Sequence, residues 1–258
     1  MTNLTDKVVI VTGGAGEIGK ETARLFLHQG AKVVLVDLSQ TSLENAKVEL
    51  EKYGEVITVQ ADVSQESDVI NYVNKAIEHF RSIDIFFNNA GIEGKVSPLI
   101  DQSIDDFDKV MSVNARGVFL GLKYVLPIMK ENKTGSVINT SSDAGWAGEA
   151  GISPYVASKH AVVGLTKTAA LEVANENVRV NSIHPTSVNT RMMRSLEEGE
   201  NPDGAMERKQ QYEQVIPLGR YAEAADIAKL VLFLASDDSS FITGSQYRID
   251  GGVSASSN

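Results

Sequence analysis

Cysteine is absent from the 258 residues, which removes disulfides, thiolate nucleophiles and thiolate metal sites together. Histidine is scarce: His28, His79, His160 and His184 are scattered, with no His-x-x-x-His pair, so no metal site is expected. Positive charge is in deficit, with 24 Lys and Arg against 34 Asp and Glu and a formal charge of -10. That balance argues against non-specific affinity for nucleic acid or an anionic membrane surface. No uninterrupted apolar run reaches the roughly 18 residues of a membrane span. The opening Met1-Thr2-Asn3-Leu4-Thr5-Asp6-Lys7 carries no apolar leader, so a soluble, cytoplasmic protein is expected. A composition 42% apolar and 22% charged is that of a globular chain with a sizeable core and excludes disorder over most of its length.

What is present is an alternation of two periodicities. Short, β-branched, nearly all-apolar runs at 7–12, 31–37, 55–60, 83–87, 136–139, 178–183 and 246–249 read as strands. Between them, stretches at 17–29, 41–53, 66–80, 114–130, 155–175, 190–214 and 223–236 carry helical spacing. Apolar strands alternating with amphipathic helices describe a parallel sheet covered on both faces. No Pro-, Ser- or Gly-rich linker divides the chain. The expectation is therefore one α/β domain over residues 1–258, a Rossmann-type three-layer αβα fold with about seven parallel strands. The polar stretch Glu197–Glu207 has two glycines, a proline and few apolar anchors. It is expected to be mobile, and 191–214 is expected to form a substrate lid.

The first strand runs into Thr12-Gly13-Gly14-Ala15-Gly16-Glu17-Ile18-Gly19, which opens a helix. Glycines there let the backbone approach a pyrophosphate, and the helix N-terminus offers unpaired N–H groups. Gly13, Gly16, Ile18 and Gly19 are the candidate contacts; the competing reading is a glycine turn that serves only close helix–sheet packing. Asp37 ends the second strand 18 residues after Gly19. A carboxylate there accepts from both adenosine ribose hydroxyls and repels a 2'-phosphate, so the expected cofactor is NAD(H), with Leu38 alongside. The alternative for Asp37 is a turn cap. Asp62-Val63 and Asn89-Ala90-Gly91 close the third and fourth strands, where open α/β sheets place ligands.

Ser142 ends the fifth strand region, and Tyr155 and Lys159 follow at helical i,i+4 spacing. An ammonium beside a phenol is expected to lower the phenol's pKa, which suits Tyr155 to general acid or base work at a carbonyl or alcohol. Ser142 is placed to hydrogen-bond the same substrate oxygen. Hydride exchange with a nicotinamide needs only these parts.

In these residues the chain resembles the classical short-chain dehydrogenases/reductases over essentially its whole length, from Lys7 to about Gly252. The matches are Thr12-Gly13 to Gly19, Asn88-Asn89-Ala90-Gly91, Asn114, Ser142 and Tyr155-x-x-x-Lys159. The resemblance implies that Tyr155 is the acid/base and that Ser142 orients substrate. It further implies that Lys159 also holds the nicotinamide ribose and that Asn114 supports a water linking the lysine to solvent. It places Pro185, Val188 and Thr190 on the nicotinamide side and implies a homotetramer, built through the helices near Asn114 and Tyr155 and the last strand. Two departures stand out. Glu17 replaces the middle glycine of the family's Thr-Gly-x-x-x-Gly-x-Gly pattern, and Thr186 follows Pro185 where the family usually has glycine.

Val96, Trp146, Ala147 and Ile152 are expected to wall the substrate, with Trp146 alternatively in packing or an interface. The acids Glu197, Glu198, Glu200 and Asp203 disfavour an anionic ligand, and Arg191 and Arg194 are the cations that could answer them. The expected substrate is a neutral, medium-sized, mainly apolar secondary alcohol or ketone. A dehydratase or epimerase with bound NAD, and a non-catalytic nucleotide-sensing protein, are the alternatives. Asp101, Asp105, Asp106 and Asp108 are expected to cap a helix or face solvent.

Overall fold

The period-2 apolar runs form one seven-stranded, all-parallel sheet in the order β3-β2-β1-β4-β5-β6-β7 in a computed structural model that describes residues 3–255. Met1 and Thr2, which open the segment read above as lacking a leader, and residues 256–258 lie outside the described residues. In chain order the elements begin β1 (Val8–Thr12), α1 (Glu17–His28), β2 (Lys32–Asp37), α2 (Gln40–Leu50), β3 (Val56–Gln60) and α3 (Glu66–Phe80). They continue with β4 (Ile85–Asn88), α4 (Ile104–Met111), α5 (Gly117–Asn132), β5 (Gly135–Thr140), α6 (Ser153–Val173) and β6 (Val178–Pro185). The last four are α7 (Arg191–Glu200), α8 (Ala205–Val215), α9 (Ala224–Ala235) and β7 (Gln246–Ile249).

Alternate side chains of each inner strand enter opposite cores, which is why these strands read as continuously apolar. Ile10, Val34 and Val36 pack with Tyr72 and Val73 of α3, Val125 of α5 and Val162 of α6. Their strand neighbours Val9, Val11, Val33 and Leu35 pack with Phe26 of α1, Leu43 of α2 and Val231 of α9. Every residue of β1 is buried. These three layers bring the carboxyl ends of the strands to a single edge. No helix among the described residues is long and apolar enough to cross a membrane.

Two departures from the sequence reading have local causes. The helix expected from Asn114 begins earlier, because the Ser103 hydroxyl caps α4 by accepting from the Asp106 amide at 3.1 Å. Asp106 itself is buried and accepts from the Lys95 amide at 3.0 Å, which pins the 92–98 loop. A single π-helical turn, Ser112–Arg116, then joins α4 to α5 and carries Asn114 inward. The second departure concerns Glu197–Glu207, expected as a mobile polar stretch. Its first four residues continue α7, and Glu197 is buried, accepting from the Tyr221 hydroxyl at 2.8 Å and pairing with Arg194 at 2.8 Å. Glu200 is likewise paired, with Arg208 and with the Tyr212 hydroxyl.

Candidate active site

One continuous cavity of about 1500 Å³ runs along the carboxyl edge, from Asp37, Leu38 and Asp62 at one end to Trp146 and Arg248 at the other. Every residue proposed above to touch the cofactor lines it: Gly13, Gly16, Ile18, Gly19, Asp37, Leu38, Asp62, Val63, Asn89, Ala90, Gly91, Tyr155, Lys159, Pro185, Val188 and Thr190. The backbone decides the shape of the first end. Gly13 has φ +62°, and a Cβ at Gly19 would collide with the Gly13 carbonyl oxygen. The helix that follows has no side-chain cap, so its first-turn amides remain to be satisfied.

These residues fit a dinucleotide. A glycine cradle, uncapped amides and a carboxylate at the end of β2 are the donor and acceptor set that a pyrophosphate and an adenosine ribose require. Asp37 lines the cavity and also clamps the glycine loop, its Oδ2 accepting from the Ala15 amide at 3.1 Å. Its Oδ1 accepts from the Ser39 amide at 3.4 Å, as the turn-cap reading expects. Each carboxylate oxygen takes more than one donor, so these bonds are compatible with acceptance from ribose hydroxyls.

Glu17 occupies the first helical residue of α1, an ordinary conformation that needs no glycine, and its charge suits the helix N-terminus. Its carboxylate accepts from the Arg191 amide at 3.0 Å and so caps the start of α7 from across the cavity. Gly16, with φ -74°, does not compensate for a lost glycine.

A hydrogen-bonded chain across the strand ends connects the cradle to the chemical end. The buried Thr12 hydroxyl accepts from the Asn89 and Ala90 amides at 2.9 and 3.1 Å. Asn89 Oδ1 accepts from the Thr140 hydroxyl at 3.2 Å, and the Thr140 carbonyl accepts from Lys159 Nζ at 2.9 Å. Three strands and α6 are thereby registered to one another.

Tyr155 and Lys159 lie one turn apart on α6, with Nζ 5.3 Å from the phenol ring centroid. The expected lowering of the Tyr155 pKa is not what the environment produces. Burial pushes the phenol up, the neighbouring Ser142 hydroxyl opposes it, and Asp143, Glu149 and Glu93 add to the rise. Burial also pushes Lys159 down to about 8. Burial is the first cause of both shifts.

Ser142 Oγ donates to Asp143 Oδ1 at 2.6 Å, with the Pro185 carbonyl at 3.4 Å as a second acceptor. Behind it, fully buried His184 donates from Nδ1 to the Ser142 carbonyl at 2.8 Å and accepts at Nε2 from Ser182 Oγ at 2.9 Å. A carbonyl can only accept, which settles the tautomer. Burial lowers the His184 pKa to about 4, so the imidazole is a neutral prop for the Ser142 backbone.

Not every sequence candidate reaches the cavity. Asn114 lies wholly buried behind it, exchanging hydrogen bonds with the Ile92 amide and carbonyl at 2.8 Å each and donating to Ser158 Oγ at 3.1 Å. Val96 is a correction: it is not on the wall but beside Gly151 and Gly199. The wall does include Trp146, Ala147 and Ile152, together with Ile92, Met192 and Leu196, which sequence reasoning missed. Arg191 is on the wall, near Glu93 at 3.6 Å, whereas Arg194 turns away to Glu197. A cation overlooked was Arg248, on β7, stacked 4.4 Å from the Trp146 ring. Glu149 opens into the cleft yet is crowded by protein; burial, Asp143 and Glu200 push it up to about 7.

Comparison with known proteins agrees with this geometry. A family model described as Enoyl-(Acyl carrier protein) reductase matches residues 13–254. Levodione reductase of Leifsonia aquatica is 44% identical over 98% of this chain and 96% of its own, and a crystal structure of levodione reductase, at 44% identity, superposes with a TM-score of 0.97 over 98% and 99% of the two chains. The crystal structure of an NAD+-bound xylitol dehydrogenase has a TM-score of 0.92 at 35% identity, over 96% of this chain and 99% of that one. Cyclohexanol dehydrogenase of Acinetobacter sp. (strain SE19) is 37% identical over 95% of this chain and 94% of its own. The chain belongs to the classical short-chain dehydrogenase/reductase family.

Proposed function

We propose that Tyr155 gives a proton to a ketone oxygen, or takes it from a secondary alcohol, while Ser142 holds the same oxygen and Lys159 carries positive charge beside the phenol. The chain is an NAD(H)-dependent oxidoreductase that interconverts alcohol and ketone. Bound NAD(H) supplies or accepts the hydride. The observation that carries the residue assignment is the meeting of Ser142, Tyr155 and Lys159 at one end of a cavity whose other end is the glycine cradle and Asp37. The phenol gives its proton in ketone reduction and, as phenolate, accepts one in alcohol oxidation; positioned acid–base catalysis of this kind contributes about 10²-fold or more. Asn114 acts through the Ile92 backbone and Ser158, as a positioning residue. Asp37 selects NAD(H) over NADP(H). The lid is residues 191–214, its first amide tied to Glu17. A homotetramer in the cytoplasm completes the proposal, with exposed Phe119 on α5, Leu171 on α6 and Phe241 ahead of β7 available as apolar contacts.

The test is NADH formation or consumption with a panel of secondary alcohols and ketones. Turnover that survives unchanged in Tyr155→Phe, on any substrate the wild type accepts, would overturn the mechanism.

A further inference from the structure

The wall beside Ser142 carries a carboxylate that the reaction itself does not use. Asp143 follows Ser142 directly, in a short 3-10 turn, and lines the same cavity. One of its oxygens is committed: Oδ1 accepts from the Ala144 amide at 2.8 Å and from Ser142 Oγ at 2.6 Å. Oδ2 has no hydrogen-bond donor among the described residues.

Ser142 and Tyr155 define where the reacting oxygen sits, so a carboxylate on the next residue lies beside the substrate carbons attached to that oxygen. An all-hydrocarbon substrate would strip water from Oδ2 and give nothing back, which is costly for a charged acceptor. A carboxylate-bearing substrate would meet like charge. A cationic one is disfavoured by Arg248, which brings positive charge to the same wall over Trp146 and offsets Asp143 and Glu149. What remains is a neutral group with a proton to donate.

We propose that Asp143 is a specificity-determining residue: it accepts a hydrogen bond from a hydroxyl on the carbon adjacent to the reacting carbon, so that vicinal diols and the corresponding α-hydroxy ketones are the preferred substrates. This rests on the reading of Ser142 and Tyr155 given above. In the oxidative direction one carbinol loses a hydride from carbon and the proton from its oxygen and becomes a carbonyl. The neighbouring hydroxyl stays intact, its proton directed to Asp143.

A neutral, hydroxylated substrate thereby takes the place of the mainly apolar one expected from sequence. The apolar surface of Ile92, Met192 and Leu196 covers the carbon skeleton, and the polar contact is confined to the side next to Ser142.

Trp146 is the one tryptophan of the chain and lines the cavity, so its fluorescence reports occupancy. The experiment titrates cyclohexanol and the cis and trans isomers of cyclohexane-1,2-diol into NADH-saturated enzyme, where alcohols bind without reacting. Wild type, Asp143→Asn and Asp143→Ala are compared, and the same alcohols are then assayed for NAD+-linked oxidation. The expected result is that one diol isomer binds wild type at least about tenfold tighter than cyclohexanol, as a charge-assisted hydrogen bond implies. Both variants should bring that ratio to within about threefold, and the kcat/KM ratio should follow it. Asp143→Asn keeps an oxygen for the Ala144 amide, so it separates loss of the carboxylate from loss of the turn. Equal affinities in wild type, or a diol preference that survives in both variants, would overturn the assignment. Diol-selective binding that depends on Asp143, with no oxidation of any alcohol, would support the assignment and reject the proposed reaction instead.

Discussion

The two ends of the cavity are built from different material. At the cradle end the working groups are backbone: a turn at Gly13, the close approach of Gly19, and the uncapped amides of α1, all from one contiguous stretch at the end of β1. At the chemical end they are side chains drawn from distant segments, with Ser142 after β5, Tyr155 and Lys159 on α6, Met192 on α7 and Arg248 on β7. The first end should fail through distortion of the fold. The second should fail through loss of chemistry while the fold stands.

The sharpest break in that comparison is Gly19→Ala. Its Cβ meets the Gly13 carbonyl oxygen, so the expected loss is about 3 kcal/mol of stability, of the size seen for overpacked sites. Urea unfolding measures it, and NADH affinity should fall with it. Tyr155→Phe is the counterpart. Turnover should drop ~10²-fold or more while the urea midpoint and NADH affinity stay near wild type. A large stability loss in Tyr155→Phe, or none in Gly19→Ala, would erase the distinction.

Smaller effects probe the junctions. Asp37→Ala should reduce the ratio of kcat/KM for NADH over NADPH by roughly tenfold, about 1.4 kcal/mol, by removing charge repulsion of the 2'-phosphate. Initial rates with the two cofactors provide the check. Glu17→Gly should tighten NADH binding by roughly threefold, because a carboxylate leaves the anion-binding helix end. Glu17→Gln should keep an acceptor for the Arg191 amide; if it binds NADH as weakly as wild type, charge is not the cause.

A pH dependence from His184 probes the support behind Ser142. Burial lowers its folded pKa from 6.5 to about 4. Between those values the unfolded chain binds the proton more readily, so stability falls as pH drops from 6.5 toward 4 and this contribution levels off below that. Urea midpoints at pH 7 and pH 5 should therefore differ less in His184→Gln than in wild type. An unchanged difference would assign the acid sensitivity elsewhere.

The cradle was legible because its parts are neighbours in the chain: glycines at fixed spacing, between an apolar strand and an amphipathic helix, describe a local geometry. Tyr155 and Lys159 were legible for the same reason, four residues apart on one helix. Val96 was misplaced because a loop residue beside a pocket in sequence can pack behind it in space. Glu197 was read as a lid acid in a mobile polar stretch because no local pattern announces a tyrosine 24 residues later that will bury it.

The direction of the Tyr155 shift, beside Lys159, was misjudged on different grounds. Their spacing is local, but the amount of water removed around them depends on how α6, the Ser142 loop and the strand ends close together.

Sequence alone determined the alternating α/β architecture, the parallel sheet, the nucleotide cradle and the serine, tyrosine and lysine, since periodicity and short spacing encode each of them. Tertiary structure alone decided that Thr12, Asn89, Thr140 and Lys159 form one chain of hydrogen bonds. It also decided that Glu17 caps α7, that Arg248 stacks on Trp146, and that Asp143, next to Ser142 on the cavity wall, keeps one oxygen without a donor among the described residues. Each of these depends on distances between residues far apart in the chain and on the exclusion of water from the space between them, and neither quantity is written in any local pattern.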